Sequence, residues 1–223
     1  VTDEAREAAF ERLLKTLRQR TVAEPSQAPV GMQALMHEFL RSFLIWEASV
    51  TKAEKALARV LESIVDLNEL RICLPHEIIE IIGPKYPECS VRAARLRSSL
   101  NDLFVREHEV SLDRLVGMPK RDARSYLESL DGVPPFVAAR VALLGLGAHA
   151  MPIDARLAGA LVREGVFSAD MDIETGASWL ERRIRAAEAR ETYLQMEAWY
   201  ESRRKRSGGR SSGGREKSPK SMK

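Results

Sequence analysis

The chain has 223 residues, 44% of them hydrophobic and 30% charged, with 35 Lys or Arg against 32 Asp or Glu and a formal net charge of +3. This is the composition of an ordinary globular protein, long enough to bury a substantial core and unlike a disordered or fibrous chain. No apolar run approaches the ~20 residues that a membrane-spanning helix needs, the start Val1-Thr2-Asp3-Glu4-Ala5-Arg6 resembles no secretory signal, and two cysteines, Cys73 and Cys89, build no disulfide framework. An intracellular protein with reduced thiols is expected. The charge is unevenly placed: Arg203 to Lys223 holds nine basic residues and one Glu, a tail of +8, which leaves −5 on the preceding 202 residues. The basic balance therefore belongs to the tail, which has too little apolar surface to order itself and is suited to bind polyanions without sequence preference.

In chain order, residues 3 to 20 place Ala5, Ala9, Phe10, Leu13, Leu14 and Leu17 on one stripe of an amphipathic helix. Pro25, Ser26, Pro29 and Gly31 mark a loop. Met32 to Ala48 reads as a core helix, and Thr51 with Glu54 reads as a capping box that opens the next one. Pro75 starts a helix through Ile82 that Gly83-Pro84 closes, Val91 to about Phe104 forms another, and Ser111 to Val116 is a short one. A helix from Arg121 to Leu130, a turn at Asp131-Gly132-Val133-Pro134-Pro135 and a helix from Phe136 to Leu144 make a hairpin. Ala155 to Arg163 and one or two helices between Asp172 and Tyr200 complete the body. No useful stretch alternates with period two, so the fold class is all-α.

The hairpin carries a resemblance. Leu130-x-Gly132-Val133-x-Pro135-x-x-Ala138, followed by Ile153-Asp154 eighteen residues beyond Phe136, resembles the helix-hairpin-helix DNA glycosylases of the endonuclease III superfamily. Their pattern is Leu-Pro-Gly-Val-Gly-x-Lys-Thr-Ala, then a Val-Asp-Thr-His segment at that spacing. The resemblance implies two helical lobes with a DNA-facing cleft between them in residues 1–202: a hairpin lobe of about residues 48–166, and a second lobe of 1–47 with 167–202. It also implies double-stranded DNA carrying a damaged or mispaired base as the partner, a monomer, and a cytoplasmic, nucleoid-associated location.

Residue by residue, the resemblance assigns Asp154 as the catalytic carboxylate, which either stabilises positive charge on the deoxyribose or helps activate water. Asp154 is equally placed to cap the helix that follows it. Gly132, Val133 and Pro135 fall on the hairpin turn that faces a DNA phosphate, Arg156 follows the Asp, and Glu47 takes the place of a Gln that fills the gap left by an extruded base. The family's second hairpin Gly is Pro134, which has no N–H, and its Schiff-base Lys is Phe136, so Lys-dependent lyase chemistry is not expected. Two cysteines cannot supply the family's four-cysteine iron–sulfur loop, and His37, His76, His108 and His149 share no ligand spacing, so neither a metal nor a cofactor is expected. Trp46, Trp179 and Trp199 read as core. Two functions follow: a monofunctional DNA N-glycosylase, or a catalytically inactive glycosylase scaffold that binds DNA or a protein partner.

Overall fold

The computed structural model describes residues 2–22 and 27–208, with side chains through Arg203; Pro25, Ser26 and most of the basic tail lie outside the described residues. Eleven α-helices and one 3-10 turn make up the described chain, and no strand occurs in it. None of these helices is long and apolar enough to cross a membrane.

The helices are α1 (Asp3–Leu17), α2 (Ala34–Ile45), α3 (Val50–Ser63), α4 (Leu67–Ile72), α5 (Pro75–Ile82) and α6 (Cys89–Glu107); after a 3-10 turn at Asp113–Gly117 come α7 (Lys120–Ser129), α8 (Pro135–Leu146), α9 (Ala155–Arg163), α10 (Ile173–Arg183) and α11 (Ala186–Gly208). Local signals set several ends. Thr2, Asp66, Asp154 and Asp172 each accept a first-turn amide, and Pro75 and Pro135 occupy first-turn positions where no N–H is needed.

Among the ends that differ from the sequence expectation, two have a clear cause in the side chains around them. The cap of α3 is Ser49, whose Oγ accepts the Lys52 N–H at 3.3 Å; Glu54 instead takes Arg41 Nε at 2.7 Å. Helix α2 stops at Ile45, because its last carbonyls are claimed from outside. Buried Arg92 donates to the carbonyls of Phe43 and Trp46 and to Pro87 O at 3.0 Å, and the Tyr86 hydroxyl donates to Leu44 O at 2.6 Å. Burial lowers Arg92 to about 10, still high enough for the guanidinium to remain charged at neutral pH. The chain then turns through Glu47 with φ +52, a left-handed conformation uncommon outside glycine.

The core forms two clusters. The first joins α2 through α7 with one side of α8, contributed by Val137, Ala138, Val141 and Ala142. The second joins α1, Ala150 to Ile153, α9, α10 and α11 with Ala139 and Leu143 of α8. Helix α8 is therefore apolar on opposite sides and shared. Helix α2 is buried along nearly its whole length and lies so close to α8 that a Cβ on Gly145 would stand 2.5 Å from Leu35 Cδ2, which places α2 with the hairpin. Residues 150–166 pack with the second cluster.

Between the clusters sits Arg140, fully buried. It pairs with Glu38 of α2, and its Nε and Nη2 reach the Tyr193 hydroxyl at 3.0 Å and Glu197 at 3.3 Å on α11. Burial alone would lower its pKa; the Glu38 carboxylate, with Tyr193 and Glu197, more than reverses this.

Candidate active site

The helix-hairpin-helix turn is built where α7 meets α8. Gly132 has φ +76, and a Cβ there would fall 2.6 Å from Arg95 O and 3.0 Å from Ser98 Cβ, so the hairpin packs on α6 only with glycine at this point. Arg95 Nη1 reaches back to Gly132 O at 3.5 Å. The amides of the turn are largely spent inside it. Asp131 N–H donates to Asp102 at 2.8 Å, Val133 N–H to Leu130 O at 3.3 Å, and those of Val137 and Ala138 to Pro134 O. Pro134 and Pro135 have none to give. Among the described residues, only the N–H groups of Gly132 and Phe136 in this turn lack a partner in the fold. Val133 and Pro135 contribute shape rather than donors. Pro134 is buried, and replacing it by Gly adds one N–H to the turn; if this turn meets a phosphate, duplex affinity rises about 3- to 10-fold, the worth of one added hydrogen bond, and fluorescence anisotropy at fixed salt measures it, unchanged affinity meaning that the turn meets none.

Beside the hairpin lies a cleft of about 490 Å³ lined from both clusters: Trp46 and Glu47 after α2, Val133, Pro135 and Phe136 of the hairpin, Met151, Ile153 and Asp154, and one face of α10. Asp154, Glu47, Val133 and Pro135 are thus brought together. Trp46 packs on the first cluster while facing the cleft half-buried, whereas Trp179 and Trp199 lie in the second cluster. Phe136 is 5% exposed and fills the position that the family pattern gives to Lys, against both the core and the cleft.

Asp154 is 3% exposed at the N-terminus of α9. Its Oδ1 accepts Leu157 N–H at 2.8 Å, and its Oδ2 accepts Glu47 N–H at 3.2 Å and Arg156 Nε at 3.0 Å. Capping and a place in the cleft therefore coexist. Glu47 answers reciprocally: its Oε1 accepts Ala155 N–H at 2.8 Å, so the side chain turns toward α9. Burial pushes its carboxyl above the usual carboxylate range, opposed by the Ala155 hydrogen bond and assisted by the Asp154 charge. Arg156 is turned inward, with Nη2 3.5 Å from Ile45 O and its guanidinium 5.4 Å from the Tyr200 ring.

Sequence reasoning did not single out the opposite wall. Arg124 of α7 binds Glu128 at 2.8 Å, Glu181 of α10 at 3.0 Å and His149 O at 2.9 Å. Glu181 also accepts Met151 N–H at 3.1 Å, which fixes the loop that delivers Asp154. Apart from the i,i+4 pair of Arg124 and Glu128, the groups of this brace lie far apart in sequence, and no local pattern joins them. With Glu174, the cleft lining holds five carboxylates against one guanidinium. Such a lining repels a phosphate and accepts a neutral or cationic group. Cys73 and Cys89 are free thiols and the only cysteines in the chain, so the residues present do not fit a four-thiolate iron–sulfur cluster.

No family model matches the sequence, and no curated protein matches it. Solved structures do. The fold is similar to endonuclease III trapped as a covalent intermediate with DNA, with a TM-score of 0.65 and 15% identity over 88% of this chain and 84% of that one. It is similar to the 8-oxoguanine glycosylase/lyase of Clostridium acetobutylicum bound to double-stranded DNA, with a TM-score of 0.63 and 14% identity over 91% of this chain and 70% of that one. It is also similar to a thermostable thymine-DNA glycosylase, with a TM-score of 0.60 and 14% identity over 89% and 87% of the two chains. The chain has the all-helical fold of the endonuclease III-like DNA glycosylases.

Proposed function

We propose that this protein is a monofunctional DNA N-glycosylase that acts as a monomer inside the cell, extrudes a damaged or mispaired base from the duplex and hydrolyses its glycosidic bond with water. The observation that carries the reading is Asp154, a buried carboxylate on the wall of an interlobe cleft bordered by the hairpin, in a fold shared with DNA glycosylases. A stacked base hides the sugar carbon, so chemistry there requires extrusion. The acidic cleft suits the base, while phosphates stay on the rim at the Gly132 and Phe136 amides and on the basic tail.

The donors around Asp154 select between its two roles. Both Asp154 oxygens are already engaged, by three donors in all, one of them a guanidinium, which leaves little room for an attacking water on either. The carboxylate remains a fixed negative charge, suited to stabilising the oxocarbenium-like sugar as the base departs. Phe136 offers no amine, so no covalent sugar adduct forms. Two assays test this: abasic duplex should accumulate with strand breaks only after alkali, and borohydride should trap no protein–DNA adduct. A trapped adduct within the fold would refute the hydrolytic mechanism.

One observation favours the alternative, a glycosylase scaffold without catalysis. Arg156 neutralises Asp154 at 3.0 Å where the family pattern has Thr-His. Under that reading the chain binds duplex DNA, or a protein partner, and releases no base.

A further inference from the structure

Glu47 is tied into the wall of the cleft by both its backbone and its side chain. Its backbone sits at φ +52, its own N–H is held by Asp154, and its carboxyl is held by the amide next to Asp154. The two carboxylates are therefore fixed as a pair on one wall of the cleft. Their surroundings differ. Both Asp154 oxygens are occupied, whereas only Oε1 of Glu47 is; among the described residues Oε2 has no hydrogen-bond partner, and Glu47 is half-buried and lines the cleft. Paired titratable groups held in unlike environments divide into a fixed charge and a proton carrier.

Resting on the glycosylase reading, we propose that Glu47 is the general acid of the reaction, giving its Oε2 proton to the departing base while Asp154 stabilises the sugar cation. The C1′–N bond breaks with its electron pair on the base nitrogen, and the base takes the Glu47 proton and leaves neutral. Water adds its oxygen to C1′ and releases a proton to solvent, from which the Glu47 carboxylate is reprotonated. The sum is one water consumed per base released. The groups that face Glu47 are Asp154 and Arg156 at the start of α9, Glu88 and Arg92 at the start of α6, and, lining the same cleft, Arg124 and Glu128 on α7 with Glu174 and Glu181 on α10. Burial and the neighbouring Asp154 charge raise the Glu47 carboxyl, which extends its protonated form toward neutral pH.

Glu47→Gln tests this directly, because the amide oxygen can still accept the Ala155 N–H and preserve the cap while the acidic proton is lost. In single-turnover base release by the full chain, the variant should be slower by about 10²-fold or more. The wild-type rate should fall as pH rises through the Glu47 pKa, and that limb should vanish in the variant. Glu47→Asp, which keeps the proton on a shorter arm, should recover part of the rate. A Gln variant within threefold of wild type with the same pH profile reduces Glu47 to a helix cap and overturns the proposal. A Gln variant that binds duplex more tightly and works faster assigns it the gap-filling role and overturns it too. Failure of the parent reading is distinct: wild type itself then releases no base at any pH.

Discussion

Asp154→Asn should reduce base release by about 10²- to 10³-fold, the usual cost of removing one preorganised electrostatic stabiliser, while duplex binding persists. The substitution suits the geometry because Asn is as good a helix cap as Asp and can still accept Leu157 N–H. What it loses is the charge. The amide also turns a donor toward Glu47 N–H and Arg156 Nε, two groups that now find an acceptor. Stability should therefore fall by about 1–3 kcal/mol, a loss that thermal melting registers separately from the rate. Equal base release by both forms would remove Asp154 from the chemistry and leave it a cap.

Arg140→Met should destabilise the fold by about 3–5 kcal/mol, the penalty for leaving buried charge without its partner. The guanidinium is fully buried and joins α2, α8 and α11, the three helices where the two core clusters meet. Its loss leaves Glu38, at 10% side-chain exposure, with the Ser42 hydroxyl at 3.0 Å and Arg41 at 3.9 Å, leaves Glu197, at 17%, with the Tyr193 hydroxyl, and deprives Ser42 and Tyr193 of a donor. Burial, with the nearby Glu197 charge, holds the Tyr193 hydroxyl well above its ordinary pKa, so it stays a neutral donor to Glu197 at 3.0 Å. Chemical denaturation measures the effect. The double variant Glu38→Met/Arg140→Met should recover part of the loss, because it removes the buried carboxylate as well as its nearest cation. A cost below about 1 kcal/mol for Arg140→Met would mean that the network adds nothing to the junction.

What was legible in the sequence was local. Pro75 and Gly83 bound α5 where expected, Asp154 and Asp172 start their helices, and the Leu130 to Ala138 pattern forms the hairpin around the one residue, Gly132, that tolerates its close approach to α6. Where long-range contacts intervene, sequence spacing failed. Helix α2 ends early because Arg92, 46 residues beyond Trp46, claims its final carbonyls. The sharing of α8 between two clusters was not readable either, because it is apolar on two sides, a property that periodicity records as burial without naming the partners. The site shows the same division. Spacing placed Asp154, and the cleft contains it; the brace of Arg124 and Glu181, and the turn of Glu47 toward α9, depend on groups brought together only by folding.

The decisive assay is base release by the full chain from duplexes carrying uracil, thymine mismatches, oxidised pyrimidines or alkylated purines. Free base from at least one duplex, intact strands until alkali is added, and loss of that release in Asp154→Asn are the expected results. Tight binding to these duplexes with no base released from any of them would contradict the glycosylase reading and establish the protein as a DNA-binding scaffold.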